Sequence, residues 1–184
     1  MMRRKLLQTA VTIFVVLGGI ALTSQMIKWV DFETAVHLNK KKPKKIFIDV
    51  YTDWCGWCKV LDRKTFRDPR VIKVMNKYYH AVKLDAETRD TIYFQNKPHT
   101  YIKEYRANLI ALRLLDGRMV YPSMVILDEK FNRLRIIRGY KSADDLLPIL
   151  IYYGGNYYKE MKFGQFKLKT YKKAYRDLFG EDPR

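Results

Sequence analysis

The sequence predicts an α/β fold, a mixed sheet flanked by helices, and three stretches carry that prediction. Residues 46–51 form a short, almost continuously apolar run, residues 81–85 form a second strand, and helical patterning fills the space between them. Strand, helix and strand in that order imply a right-handed crossover and a parallel pair. Later, Met124 to Leu127 and Leu134 to Ile137 flank Asp128, Glu129, Lys130, Phe131 and Asn132, the pattern of an antiparallel hairpin with a short loop. The chain has 184 residues and 48% hydrophobic content, enough for one domain with a real core plus additions.

Taken in order, the chain opens with Met1, Met2, Arg3, Arg4 and Lys5, followed by an uncharged stretch from Leu6 to Thr23. This is the layout of a signal peptide or signal anchor over residues 1–23, to be left out of the fold. As a helix the stretch would be about 27 Å long, just short of a hydrocarbon core of about 30 Å. Gly19, Ile20 and Ala21 supply a modest cleavage pattern, so anchoring and cleavage both remain open. Either way the basic cluster stays in the cytoplasm, and the chain beyond Ser24 is expected on the periplasmic side.

Trp29 to Asn39 reads as a short amphipathic helix with Asp31 as a possible N-cap, ended by the lysine run around Pro43. From Gly56, the positions of Val60, Leu61, Lys64 and Phe66 suggest a helix that stops near Asp68. Pro69 then suits the first turn of another helix, through Tyr78. Residues 87–120 exceed what a simple connection needs and are expected to hold a small hairpin, Asp90 to Tyr101 around Asn96, Lys97 and Pro98, and a helix from Arg106 to Asp116 ended by Gly117. Ser142 caps a helix to Tyr153 that Gly154 and Gly155 end and Pro148 could distort. Residues 24–155 thus make one domain with an insertion. Residues 156–184 make a basic aromatic tail, with Phe166, Tyr171, Tyr175 and Phe179 at helical spacing, expected to pack on it.

The chemistry is concentrated in Trp54-Cys55-Gly56-Trp57-Cys58, which holds both cysteines of the chain and follows the first strand directly. Two thiols at i, i+3 on a strand-to-helix junction can close into a small disulfide ring and reopen. The first sulfur is expected to be exposed at the positive end of the helix, where its thiolate is stabilised. A structural zinc site would need four ligands, and His37, His80 and His99 are single residues without a paired spacing. A structural disulfide across so short a loop would restrict the unfolded chain little. The motif therefore points to thiol–disulfide exchange, with the Cys55–Cys58 pair itself as the redox group and no separate cofactor or metal.

Together with Asp49, six positions before Cys55, and Tyr121-Pro122-Ser123 ahead of the hairpin that Gly139 closes, the site resembles the thioredoxin superfamily. The resemblance runs from about Trp29 to Tyr153 and is nearest to exported bacterial thioredoxin-like proteins. It implies the thioredoxin fold and a role for each matched residue. Cys55 would attack and form a mixed disulfide with a client, and the more buried Cys58 would resolve it. Asp49 would lie under the pair as a carboxylate of raised pKa, with Lys83 near it, and relay the proton of Cys58; a buried acid satisfied by local hydrogen bonds is the other reading. Pro122 would be a cis proline facing the disulfide, unless it simply opens a strand in trans, and the backbone of Tyr121 would pair with an extended client segment. Trp54, Gly56 and Trp57 would border the sulfurs on the client side, although Trp54 could equally pack. Lys59 either aids the thiolate or is solvated. Trp57 departs from the proline common at that position, which leaves the reduction potential and direction of electron flow unassigned. The long insertion and the tail have no counterpart in the minimal fold.

The formal net charge is +17, of which about +14 belongs to the chain beyond the leader. On an exported chain this excludes nucleic acid as the expected partner and favours acidic proteins or an anionic membrane surface, or else is a generally basic solvated surface. The expected function is an exported thiol–disulfide oxidoreductase acting on client proteins with disulfides or thiols. It would be a reductase or isomerase rather than an oxidase, fed by a membrane electron donor. A basic binding module with incidental thiols and a metal-handling thiol protein are the alternatives.

Overall fold

The structure, a computed structural model, describes residues 26–183. The leader expected at residues 1–23 lies outside the described residues. Among those described, no helix is long and apolar enough to cross a membrane.

A five-stranded mixed sheet organises the domain. Its strands are β1 (Trp29–Val30), β2 (Lys45–Tyr51), β3 (Tyr79–Asp85), β8 (Ser123–Leu127) and β9 (Arg133–Arg138), in the spatial order β1-β3-β2-β8-β9. Strand β2 is central. It pairs parallel with β3, through Phe47↔Ala81 and Asp49↔Lys83, and antiparallel with β8, through Asp49↔Met124 and Val50↔Ser123.

Trp29 and Val30, expected in the first helix, instead pair in parallel with Ala81 and Val82. The cap decides the boundary. Asp31 accepts the Thr34 N–H at 2.7 Å, a bond that holds its carboxyl below the usual range, so α1 runs only from there, Phe32–Lys41. Helices α2 (Gly56–Lys64) and α3 (Pro69–Tyr78) follow β2, α3 opening on Pro69 behind the Asp68 cap.

In the insertion, β4 (Ile92–Phe94) and β5 (Lys97–His99) form a hairpin whose turn is Gln95–Asn96, one step earlier than expected. Both turn residues have positive φ, 51° and 61°, as a two-residue primed turn demands, which leaves Lys97 and Pro98 in the strand. A second ribbon pairs β6 (Tyr101–Ile102) with β7 (Ala107–Asn108). The helix expected over residues 106–116 is therefore shorter, α4 (Leu109–Leu114), because Asn108 closes the ribbon and caps the helix, accepting the Ile110 N–H at 3.1 Å.

Side chains alternate across β2 and divide the core. Ile46, Ile48 and Val50 face α1 and α4, with Phe32, Ala35, Ile110 and Leu115. Phe47 faces the other layer, with Leu61 of α2, Val71, Val74 and Met75 of α3, and Leu146, Leu147 and Leu150 of α5 (Ala143–Gly154). Helix α5 continues through Pro148, capped by Ser142. At its end a Cβ on Gly154 would come 2.8 Å from Tyr78 Cβ, so this crossing with α3 requires glycine.

The tail is part of that second layer. Helix α6 (Phe163–Gln165), a π-helical segment (Phe166–Thr170) and α7 (Tyr171–Phe179) place Phe166 and Tyr175 in the core, both essentially fully buried. Lys45, also buried, fixes the near end of the tail: its ammonium donates to Asn156 Oδ1 at 2.8 Å, pairs with Glu129, and lies over the Tyr158 ring.

Candidate active site

Strand β2 ends at Tyr51, and Thr52 C=O accepts the Cys55 N–H at 3.1 Å, a turn that delivers Cys55 to the start of α2. Cys55 is the N-cap of that helix. Its Sγ accepts the Cys58 N–H at 3.1 Å, occupying one of the donors that a helix start leaves without an intrahelical partner. The two sulfurs form a disulfide, with Cα atoms 5.3 Å apart. This geometry provides what a thiolate at position 55 would need after reduction: a backbone N–H aimed at the sulfur and the positive end of a helix behind it.

Exposure at the site is carried by the tryptophans rather than by sulfur. Cys55, expected to be exposed, is 5% accessible and Cys58 3%, whereas Trp54 and Trp57 are 66% and 62% accessible. The rings lean outward onto neighbours: Trp54 makes an edge contact with Tyr121, and Trp57 packs at a tilt on Tyr140. Trp54 Nε1 also donates to Glu87 at 3.0 Å. A Cβ on Gly56 would meet no atom within 4 Å, so the approach over the first turn of α2 is open.

The peptide bond from Tyr121 to Pro122 is cis. Because Ser123 pairs with Val50, Pro122 stands at the end of the sheet where β2 turns toward Cys55. Burial pushes the Tyr121 hydroxyl up to about 12, so it remains a protonated group beside Trp54.

Asp49 lies on the same face of β2 as Phe47, the face that α2 covers. It is fully buried, and desolvation raises its pKa to about 6 against the opposing pull of Lys83. Lys83, directly across on β3, donates to Asp49 Oδ2 at 2.7 Å, while Oδ1 has no hydrogen-bond partner among the described residues. Lys83 also pairs with Asp62 of α2, and its ammonium lies 5.1 Å from the ring centres of Trp29 and Tyr51. A cavity of about 370 Å³ lined by Trp29, Asp62, Phe66, Arg67 and Lys83 opens this group toward water.

Of the three histidines, His99 is buried and bonded to the Lys97 carbonyl and Arg113, and His80 bonds the Lys42 carbonyl. Among the described residues no cluster of His, Cys, Asp or Glu is arranged to hold a metal ion.

Comparison with known proteins agrees with this architecture. The sequence model of a family described as "Protein of unknown function, DUF255", under the name Thioredox_DsbH, matches residues 20–104. The thiol:disulfide interchange protein DsbD of Campylobacter jejuni strain RM1221 is 29% identical over 117 residues, covering 64% of this chain and 18% of that protein's length. A thioredoxin-fold protein from Helicobacter pylori superposes with a TM-score of 0.54 at 12% identity, covering 87% of this chain and 96% of that one. A thioredoxin from Thermus thermophilus gives a TM-score of 0.52 at 15% identity, covering 67% and 84%. The chain has the thioredoxin fold.

Over the matched segment its sequence is similar to that of a thiol:disulfide interchange protein. Sequence reasoning picked out Cys55, Cys58, Asp49, Lys83, Trp54, Trp57, Tyr121 and Pro122, and the structure gathers them around the sheet end and the first turns of α2. It overlooked Asp62, although an acid four residues after Cys58 on one helix falls on the same face. Glu87, which accepts the Trp54 indole N–H, was assigned no role by the sequence. Tyr140, which supports Trp57 from beyond Gly139, left no sequence signal.

Proposed function

We propose that this thioredoxin-fold protein is a member of the thioredoxin superfamily and a thiol–disulfide oxidoreductase for protein clients, working outside the inner membrane as a reductase or isomerase. The observation that carries this reading is the hydrogen bond from the Cys58 N–H to Cys55 Sγ at the N-terminus of α2, together with the buried acid on the sheet face that α2 covers. The helix end favours a thiolate at Cys55 once the pair is reduced.

In the forward direction the Cys55 thiolate attacks a client disulfide, bonding to one client sulfur and expelling the other as a thiolate. Cys58 then loses its proton to Asp49 and attacks Cys55 Sγ, and the second client sulfur leaves. The client gains two electrons from the cysteine pair, one proton by way of Asp49 and one from solvent, and the Cys55–Cys58 disulfide is formed. Turnover requires a dithiol donor, which we assign to the membrane. Trp54, Trp57 and the Tyr121 backbone offer a client segment a flat apolar border and a strand edge, with Pro122 at its base.

The test is trapping. Cys58→Ser is expected to accumulate mixed disulfides with clients, and Cys55→Ser none, on non-reducing gels after alkylation. Equal trapping by both variants, or by neither, overturns the roles, and failure of the wild-type protein to reduce insulin overturns the activity. For the compartment, a reporter that matures only outside the cytoplasm, fused after Arg184, is expected to be active.

A further inference from the structure

The insertion builds a second feature that thiol exchange does not use. A cleft of about 670 Å³ is lined by Arg89, Tyr101, Lys103 and Arg106. Its lining contains three cations and no acid. None of the three makes an ion pair among the described residues; Arg89 instead lies 5.4 Å from the Tyr101 ring centre, which fixes one wall. Asp90, next in the chain to Arg89, lines a different cavity.

The cations are held on a braced frame. Lys103 and Arg106 sit in the tight connection between β6 and β7, where Arg106 takes a left-handed conformation at φ 48° to close the turn. Across from them, Arg89 is flanked by Thr88 and Asp90. The fully buried Asn108 donates its amide to the carbonyls of both, at 3.4 and 3.0 Å, so the two walls share one anchor. The frame also reaches the redox site, since Glu87, two residues before Arg89, accepts the Trp54 indole N–H. Three unpaired charges converging on one opening repel one another, and an anionic occupant relieves that repulsion.

We propose that this cleft docks acidic segments of client proteins, placing the neighbouring client disulfide against Cys55. This rests on the thiol-exchange reading and supplies its substrate class: clients with carboxylate-rich sequence near the reacting cysteines. The occupant is a peptide rather than a lipid surface because Arg89 lies two residues from Glu87, which holds the Trp54 indole, so an acidic segment on these exposed cations stays within reach of the Trp54 border.

The test uses the reduced protein in single turnover with three disulfide peptides that differ only in flanking residues, Glu, Ser or Lys. The Glu-flanked peptide is expected to react about tenfold faster than the Ser-flanked one at low salt. The advantage should vanish near 1 M salt, where the Debye length is about 3 Å. Replacing Arg89→Gln, Lys103→Gln and Arg106→Gln together should abolish the advantage and leave the Ser-flanked rate unchanged. An equal loss of charge elsewhere, Lys40→Gln with Lys167→Gln and Lys169→Gln, should preserve it. Equal rates for Glu and Ser flanks, or equal effects of the two triple variants, overturn the proposal in favour of overall surface charge. A cysteine-free hexaglutamate peptide separates docking from chemistry: its binding should perturb amide resonances of residues 88–90 and 101–107. Binding there without reduction of any peptide overturns the exchange reading and not the cleft. Binding of anionic phosphatidylglycerol vesicles through these three residues, with none of hexaglutamate, overturns the peptide in favour of a membrane.

Discussion

Lys83 donates to the buried carboxylate of Asp49 at 2.7 Å and pairs at the same time with the partly exposed Asp62, so one ammonium is divided between two acids. An undivided lysine would hold Asp49 more firmly in its charged form. The division, added to complete burial, leaves Asp49 with a pKa of about 6, where it can exchange a proton near neutral pH.

The first prediction concerns stability. Because the folded pKa of Asp49, about 6, lies above the 3.8 of an unperturbed aspartate, the native state binds this proton more tightly than the unfolded chain does. That contribution is fully present below about pH 3.8 and is lost as pH rises through about 6, by up to about 3 kcal/mol. Asp49→Asn does not titrate. Its stability relative to wild type, from urea unfolding of the oxidised protein, is expected to increase between pH 4 and pH 7. A difference independent of pH would show that Asp49 is already ionised throughout.

The same substitution bears on the chemistry. Without a carboxylate to accept the Cys58 proton, Asp49→Asn should resolve mixed disulfides more slowly, with the pH dependence of that step moved upward. Stopped-flow fluorescence of Trp54 and Trp57 follows the step. A wild-type rate and pH profile would reduce Asp49 to a packed acid.

Asp62→Asn should do the opposite to the titration of Asp49. The negative charge of Asp62 raises the Asp49 pKa, so removing it lets Lys83 act on Asp49 alone and moves the acid limb of the resolution profile to lower pH. Asp62 is 44% exposed, and its ion pair should contribute at most about 1 kcal/mol to stability. A change in stability without a shift of the profile would make Asp62 purely structural.

Asn108 gives a test of the insertion. Its side chain caps α4 through Oδ1 and holds the Thr88 and Asp90 carbonyls through Nδ2. Asn108→Ala loses both functions and is expected to cost about 2–3 kcal/mol. Asn108→Asp keeps the cap but not the donor, and hydrogen exchange should then report loosening at residues 86–91 while α4 stays protected. Loss of protection in α4 for both variants would mean that the cap alone matters.

What the sequence made legible was set by how local each signal is. Asp31 and Ser142 are caps that act within one turn, Pro69 marks a helix start by its own ring, and the hairpin over residues 124–137 is fixed by its own alternation, so these elements were readable. Trp29 and Val30 were misread because their strand exists only through pairing with β3, some fifty residues away. The turn at Gln95 and Asn96 was displaced because the proline drew it forward, although Pro98 is tolerated in a two-stranded ribbon. At the site, the cysteine spacing announced the disulfide. The sharing of Lys83 is tertiary, and no spacing along the chain reveals it.

The tail yields the last prediction. Phe166 and Tyr175 occupy the same core as Phe47, Met75 and Leu150, and Tyr152, whose hydroxyl donates to the Met161 carbonyl at 2.6 Å, ties α5 to the tail. Residues 156–184, expected from sequence as a segment laid on the domain, would on this packing unfold with it. Phe166→Ala is expected to cost about 3–5 kcal/mol, as for a large aromatic removed from a closed core, with one cooperative transition for the whole protein. Near-ultraviolet circular dichroism, to which the tail tyrosines contribute, and tryptophan fluorescence, whose three indoles all lie outside the tail, should give coincident curves. A cost below about 1 kcal/mol, or a separate early transition in the tyrosine signal, would identify the tail as an independent appendage.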